Sequence, residues 1–410
     1  MEMSALRHWC EVSKNLYNQG LYLVRQNLIH ADRFVWYSDI EREMKTTLNL
    51  EGDVNYRLMP KAQCAQQCLK TVAADLKAYV KSVKDWSHHP EKYKGKPRLP
   101  RYKKGLNQLI IPNQSCQIED GYLILTKTVR VPIPQWEKYG EKLEGFQQVR
   151  INPRFGGEWF EIEIVYLAEE VANPALDMGQ YASIDLGVGN LATMVDTRDG
   201  EALIFNGKQL KAVNQWYNKT LATLKSAAMK CNGKRTTCRI QALTFRRNSR
   251  IDDLLHKTSR EIVNILLRKG IGTLVVGHNK WWKDEVNLGE ANNQNFVGIP
   301  FSRFISFLSY KCRMAGIAFV ETEEAHTSKC DALALEEVGH HDKYMGRRKK
   351  RGLFQSSVGK LLNADVNGAL NIMRKVVDDS LVRGIIDRGR LFRPVKLRDL
   401  YSLEYVPTFD

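Results

Sequence analysis

No apolar run in these 410 residues is long enough to span a bilayer, and the opening MEMSALRHWCEVSK lacks the hydrophobic core of a signal peptide. A membrane protein or a secretory precursor is therefore not expected. Cysteine is sparse, eight residues scattered along the chain, which argues against a disulfide framework and for a reducing, cytosolic compartment. No internal repeat is apparent. Acidic side chains are the minority charge: 46 Asp and Glu against 62 Lys and Arg leave a formal net charge of +16. That balance fits a ribosomal, membrane-surface or nucleic-acid partner. Nucleic acid fits best, because the basic clusters alternate with aromatics and prolines. With 43% hydrophobic residues over this length, the chain has room for two or three domains and a real core.

Helical periodicity runs through residues 4–30, with Trp9, Leu16, Leu21 and Leu23 among polar neighbours, and again through 59–86, with Leu69, Val72, Leu76, Val80 and Val83. The run EKYKGKPRLPRYKKG follows, where Pro97 and Pro100 break any helix. Its cations include Lys92, Lys94, Lys96, Arg98, Arg101, Lys103 and Lys104, with Tyr93 and Tyr102 as stacking faces. This suits a loop or strand edge that tracks phosphates, although a solvated linker has the same composition. From 109 to 168 the pattern turns to short alternating runs broken by Pro and Gly, as expected of a small β-barrel or sheet. In EWFEIEIVYL, Phe160, Ile162 and Ile164 fall on one face, Glu161 and Glu163 on the other. Residues 169–178 read as a linker. Residues 181–376 mix strands and helices: a first strand with hairpin partners in ASIDLGVGNLATMVD and ALIFNG, basic helices over 209–230 and 239–269, and buried strands in GTLVVGHN and GIAFVETEE. Between those last two, a crossover helix starts at Pro300 and stops at Gly316.

Two carboxylates stand where such a fold points side chains at a ligand. Asp185 ends an apolar strand and is followed by glycines that leave backbone room for a phosphate. If NADVNGALNIM is a helix capped by Asn363, then Asp365, Gly368, Ala369 and Ile372 share one small, apolar face, where a carboxylate is costly unless paired or metal-bound. A turn former and a helix-dipole partner are the plain alternatives. A third acid is less fixed. The strand in TLVVGHN ends on Gly277 with no acid, but the neighbouring strand ends in Glu321, Thr322, Glu323 and Glu324. Parallel strands lie about 5 Å apart, and an absent side chain at Gly277 leaves space for a glutamate from next door. Glu324 is the preferred candidate, with Glu321 and Glu323 as rivals and Glu285 as a distant one. Three converging acids suit hard divalent cations, Mg²⁺ or Mn²⁺, and phosphodiester hydrolysis.

In this order the motifs resemble the transposon-encoded TnpB (OrfB) proteins and the related type V CRISPR effectors. SIDLGVGNLAT is similar to the first RuvC motif and NADVNGALNI to the third. LGEANNQNFVGIPFSRFISFLSYKCRMAGI, EEAHTSKCD and GRRKKRGLF are similar to the segments between, and LYNQGL and GKPRLPRYKKG to upstream segments. The resemblance implies a multidomain α+β protein. Its parts would be a helical recognition domain with a basic linker (1–105), a β-barrel-like wedge domain (106–176), an RNase H-like (RuvC) nuclease domain (177–376) and a basic tail (377–410). It implies an RNA-guided DNA endonuclease of the prokaryotic, nucleoid-associated cytoplasm, with guide RNA and target double-stranded DNA as partners. Asp185 and Asp365 match the first and last catalytic acids. The usual middle glutamate aligns with Gly277 and is absent, and a relocated one, as in some members, corresponds to Glu324. Alternatives are a nuclease-inactive guide-RNA-dependent DNA binder, a compact type V effector, and an unguided nuclease of the same fold. Many relatives carry two CxxC pairs between the second and third acids. Here the insert at 325–362 has only Cys330, with His326, His340 and His341, so structural zinc is not expected. Lys94, Lys96, Arg98, Arg101, Lys103, Arg246, Arg247, Arg250, Arg347, Arg348, Lys349, Lys350 and Arg351 are the candidate nucleic-acid contacts.

Overall fold

A computed structural model describes residues 2–31, 33–169, 171–233, 236–278 and 298–397. Glu285 and the last part of the tail lie outside the described residues. The chain divides into two units, Met1–Ala168 and Glu169–Asp410.

The first unit is built on helices α1 (Glu2–Ala31), α2 (Tyr37–Met44) and α3 (Ala62–His88). In α1 the residues Leu6, Cys10, Ser13, Tyr17, Leu21 and Val24 recur every three to four positions and are buried as one stripe. It packs on the Cys68, Leu69, Val72 and Leu76 stripe of α3. Gly20 permits the approach, since a Cβ there would stand 3.1 Å from Leu69 Cδ2. The second helix begins at Ala62, not near 59, because Met59 precedes Pro60 and is held extended. Six strands follow: β1 (Leu109–Pro112), β2 (Gln117–Glu119), β3 (Tyr122–Ile124), β4 (Arg130–Pro132), β5 (Phe146–Arg154) and β6 (Trp159–Tyr166). They form two antiparallel three-stranded sheets, β1-β5-β6 and β2-β3-β4. Leu109, Ile111, Val149 and Ile151 enter the same core as Leu16 and Leu69. Helices and strands expected as separate domains thus share one interior, as a small sheet with a single apolar face requires. Phe160, Ile162 and Ile164 pack against that core, while Glu161 pairs with Arg154 and Glu163 lies 3.9 Å from Arg150.

The second unit holds a six-stranded mixed sheet. Its strands are β7 (Asp177–Leu186), β8 (Asn190–Asp196), β9 (Ala202–Asn206), β10 (Ile271–Gly277), β11 (Ala318–Thr322) and β15 (Val395–Leu397), in the order β11-β10-β7-β8-β9-β15. The hairpins β7–β8 and β8–β9 are antiparallel, whereas β10 and β11 run parallel to β7. Helices α4 (Lys208–Asn232) and α5 (Cys238–Arg268) connect β9 to β10, and α6 (Phe301–Met314) precedes β11. Gly316, at φ +75°, ends α6 in the left-handed conformation that suits glycine. Helix α7 (Ala364–Arg374) lies on β7, β8 and β10. As far as Leu397 the tail packs into this unit: Val382 and Ile385 of α8 (Asp379–Arg388) are buried, and β15 pairs with β9. Among the described residues, no helix is long and apolar enough to cross a membrane.

The insert before α7 contributes a small antiparallel sheet of β12 (Arg347–Lys350), β13 (Leu353–Gln355) and β14 (Leu361–Asn363). Its fastening point is a buried carboxylate. Asp331 accepts hydrogen bonds from Ser356 Oγ at 2.8 Å, from Ser357 N at 2.7 Å and Oγ at 2.9 Å, and from Leu333 N at 3.2 Å. The side-chain amide of Asn367, reaching from α7, donates to Cys330 O and accepts from Ala332 N. The donor set does not fit zinc. Cys330 Sγ is engaged with Gly339 O, its thiol is pushed up by burial, and His326 and His341 bond Tyr344 and the Glu337 carbonyl.

Two outcomes follow. Replacing Asp331 with Ala leaves several buried donors unpaired and should cost on the order of 3 kcal/mol of stability in the second unit, read by thermal unfolding. In the first unit, burial alone would raise the Glu41 carboxyl, but hydrogen bonds from Lys45, Tyr37, Gln66 and Tyr56 hold it down, from 4.5 to about 2. Its stabilisation is complete above pH 4.5 and is lost as pH falls toward 2. Glu41→Gln should flatten the acid limb of the melting-temperature profile, by about 2–3 kcal/mol.

Candidate functional site

Period-two alternation in β7 aims its acid. Ala182, Ile184 and Leu186 point into the core shared with α5 and α6. Ser183 and Asp185 therefore face the other side of the sheet, where α7 lies, and Ser183 Oγ donates to Ala369 O at 2.7 Å. Gly368 permits this contact, because a Cβ there would sit 2.8 Å from Asp185 Oδ2. At the start of α7 the Asn363 side chain caps the backbone amides of Asp365 and Val366, which turns Asp365 back over β7 and β8. Its carboxylate accepts from Asn190 Nδ2 at 2.6 Å.

The third acid comes over the top of β10. Val276 pairs with Ile184 and Gly277 with Thr322, so Gly277, one step along from Val276, stands level with Asp185 on the neighbouring strand. A side chain at Gly277 would overlap Ile372 of α7 and meet Glu324 Cβ at 3.3 Å. The space left by the missing side chain is thus taken by Ile372 and by Glu324. Glu324 is partly buried, and its Oε2 is buried with no hydrogen-bond partner. Glu321 and Glu323 are exposed, and Glu321 lies 3.6 Å from His278.

The electrostatics bind the three acids together. Burial pushes the Asp185 carboxyl well above the usual carboxylate range, and the charges of Asp365 and Glu324 push it further. Arg348, on β12, acts in the opposite sense. Burial raises Glu324 to about 7, offset in part by Lys375. Thr193, directly across the β7–β8 pair from Asp185, also buries a hydroxyl without a partner. Hard oxygen donors near enough to act on one another's charge, with orphaned polar atoms beside them, fit a divalent cation, though their oxygens are more widely spaced than in a closed cluster.

Another carboxylate cluster is of a different kind. Among the described residues, Asp196, Asp199 and Glu201 form the one group of acids whose oxygens all lie within 4.8 Å of one another. Lys269 Nζ sits among them at 2.8, 3.1 and 2.8 Å. The protein's own ammonium fills the place a cation would take.

The basic residues divide by what they touch. Lys94, Lys96, Arg98, Arg101 and Lys103 are exposed on an irregular segment. Lys103 Nζ lies 4.7 Å over the Tyr17 ring, and its backbone is pinned by Asn18. Arg246 and Arg250 are exposed on α5, Arg250 over Trp216 at 5.3 Å. Arg247 is turned inward, bonded to Asn214 and to the Gly298 carbonyl, which leaves it less able to meet a phosphate. Arg347, Arg348, Lys349, Lys350 and Arg351 are exposed at the edge of the insert sheet. Asn190, Thr193 and Lys375 escaped the sequence reading. Asn190 stands within the same SIDLGVGN motif as Asp185, which was its signal; Lys375 had none.

Comparison with known proteins brings these segments under two successive family matches. A family model described as "Probable transposase" (OrfB of IS605) matches residues 163–283, which include Asp185 and Gly277. One described as "Cas12f1-like, TNB domain" matches residues 301–372, which include Glu324 and Asp365. The TnpB-like protein ORF457 of Acidianus two-tailed virus is 26% identical over 205 residues, 48% of this chain and 42% of that protein. The chain therefore spans about two fifths of that relative's length. The cryo-EM structure of the Cas12f1-sgRNA-target DNA complex aligns over 89% of this chain and 81% of that one, with a TM-score of 0.54 at 14% identity, a likeness of fold. These two family matches, which take in Asp185, Glu324 and Asp365 in order, and the viral relative support kinship with the TnpB proteins and the related type V effectors.

Proposed function

We propose that the chain is an RNA-guided DNA endonuclease whose RNase H-like second unit hydrolyses phosphodiesters at Asp185, Glu324 and Asp365. The observation that carries the reading is the buried and unpartnered Glu324 Oε2 at the end of β10, beside an Asp185 against which Gly368 of the Asp365-bearing helix is packed. Three acids from a strand, a post-strand turn and a helix N-terminus gain nothing from such proximity unless a cation joins them. Magnesium, or manganese in its place, would be held by these carboxylates and would supply Lewis acidity and charge neutralisation at the scissile phosphate.

The chain's own residues do the rest. Asp185, on one of the two central strands, would hold the cation together with Glu324 and Asp365. Asn190 fixes the Asp365 carboxylate in one orientation. Arg348, the insert cation whose charge reaches Asp185, meets the phosphate being cut. Guide RNA and target DNA are the partners, as in the complex formed by the Cas12f1 fold-mate. The exposed cations at 94–103, Arg246, Arg250 and 347–351 grip nucleic-acid backbones, while base pairing with the guide reads sequence. A locus transcript of transposon or CRISPR-like origin is the guide.

The test is plasmid cleavage by the purified chain with the noncoding transcript from its own locus, in Mg²⁺. Asp185→Ala and Asp365→Ala should reduce cutting to background while RNA is retained at wild-type level. Glu324→Gln should do the same, whereas Glu321→Gln and Glu323→Gln should cut within about threefold of wild type. Full activity in Glu324→Gln would remove it as the middle acid.

A further inference from the structure

An acid that has moved from a strand end to a turn loses the rigidity the strand would have given it. Glu324 lies two residues past the end of β11, on a turn where His326 adopts φ +67°, so something else must fix its direction. Three successive carbonyls around it are held. Thr327 donates to Glu324 O through its amide at 3.2 Å and its hydroxyl at 2.8 Å. The carbonyls on either side, Glu323 O at 2.6 Å and Ala325 O at 3.0 Å, accept from one donor, Lys375 Nζ. Lys375 caps the C-terminal end of α7, the helix that carries Asp365 in its first turn and packs Ile372 into the space beside Gly277. Asn371, one turn earlier, donates to Thr327 O at 2.9 Å and so ties the far end of the turn to the same helix.

We propose that Lys375 is a positioning residue for the divalent-cation site. By straddling Glu324 it locks the relocated acid to α7, so that one helix sets both Asp365 and Glu324 relative to Asp185. The inference rests on Glu324 being the middle acid. Its ammonium touches carbonyls rather than the carboxylate, so it orients a ligand without competing with the cation for it. Outer partners that orient metal ligands typically contribute ten- to a hundredfold in affinity.

The experiment is Mn²⁺ binding to the full-length, RNA-free chain, read by electron paramagnetic resonance, for wild type, K375M, K375R, E324Q and the double variant K375M/E324Q. K375M keeps the aliphatic stem and loses the donor. It should weaken Mn²⁺ binding by about tenfold or more, while K375R, which can reach both carbonyls, restores binding to within about threefold. The double variant should bind no more weakly than E324Q, because a clamp has no effect once its acid is gone. Should K375M fail to fold, K375Q serves as the second variant. Wild-type Mn²⁺ affinity in K375M while E324Q loses binding would overturn the clamp and leave the acid in place. Additive losses in the double variant would make Lys375 a general staple and also overturn it. Unchanged binding in E324Q would instead overturn the middle-acid reading, and the clamp with it.

Discussion

Where α7 crosses the sheet, two facing positions carry hydrogen in place of a side chain. Gly368 lets the helix backbone settle against Asp185, and Gly277 lets Ile372 and Glu324 occupy the end of β10. This close approach is the constraint on which the acid constellation depends. With side chains at both positions α7 would stand away from β7, and Asp365 and Glu324 would lose their common neighbour. The helix is otherwise held by apolar burial of Val366, Ala369, Leu370 and Met373, so a packing force supplies the energy that brings like charges together. Asn371 and Lys375 then attach the Glu324 turn to the same helix.

The two acidic clusters of the second unit show what separates structural from functional charge. Asp196, Asp199 and Glu201 are drawn closely around Lys269, and together they fasten the β8–β9 hairpin to the C-terminal end of α5. Nothing there is left unpaired by the fold itself. At Asp185 the described residues supply no such ammonium. Arg348 contributes a distant favourable charge, Lys375 bonds carbonyls, and Asn190 offers a neutral donor. Charge without an internal counter-charge marks a place where the counter-charge comes from outside.

Much of this was legible in the sequence because it is local. The β7–β8–β9 hairpins, the Pro300–Gly316 crossover helix and the Asn363 cap each depend on periodicity, turn chemistry or a capping side chain within a few residues. The prospect that an acid beside Gly277 would come from the next strand followed from strand spacing, and Glu324 stands there. What sequence could not supply was tertiary. The sharing of one core by α1, α3 and the small sheets depends on which apolar faces find each other across about a hundred residues. The inward turn of Arg247 depends on Asn214, and the role of Lys375 on a turn 50 residues away. Asp331, unremarkable in KCDAL, became the fastening point of the insert only once Ser356 and Ser357 were brought to it.

The most direct test of the account is where a divalent cation binds. Crystals of the full chain soaked in Mn²⁺ should show anomalous difference density bounded by Asp185, Glu324 and Asp365, with Lys269 still seated among Asp196, Asp199 and Glu201. Manganese at the Lys269 cluster with the lysine displaced, or no density between the three acids at saturating Mn²⁺, would contradict it.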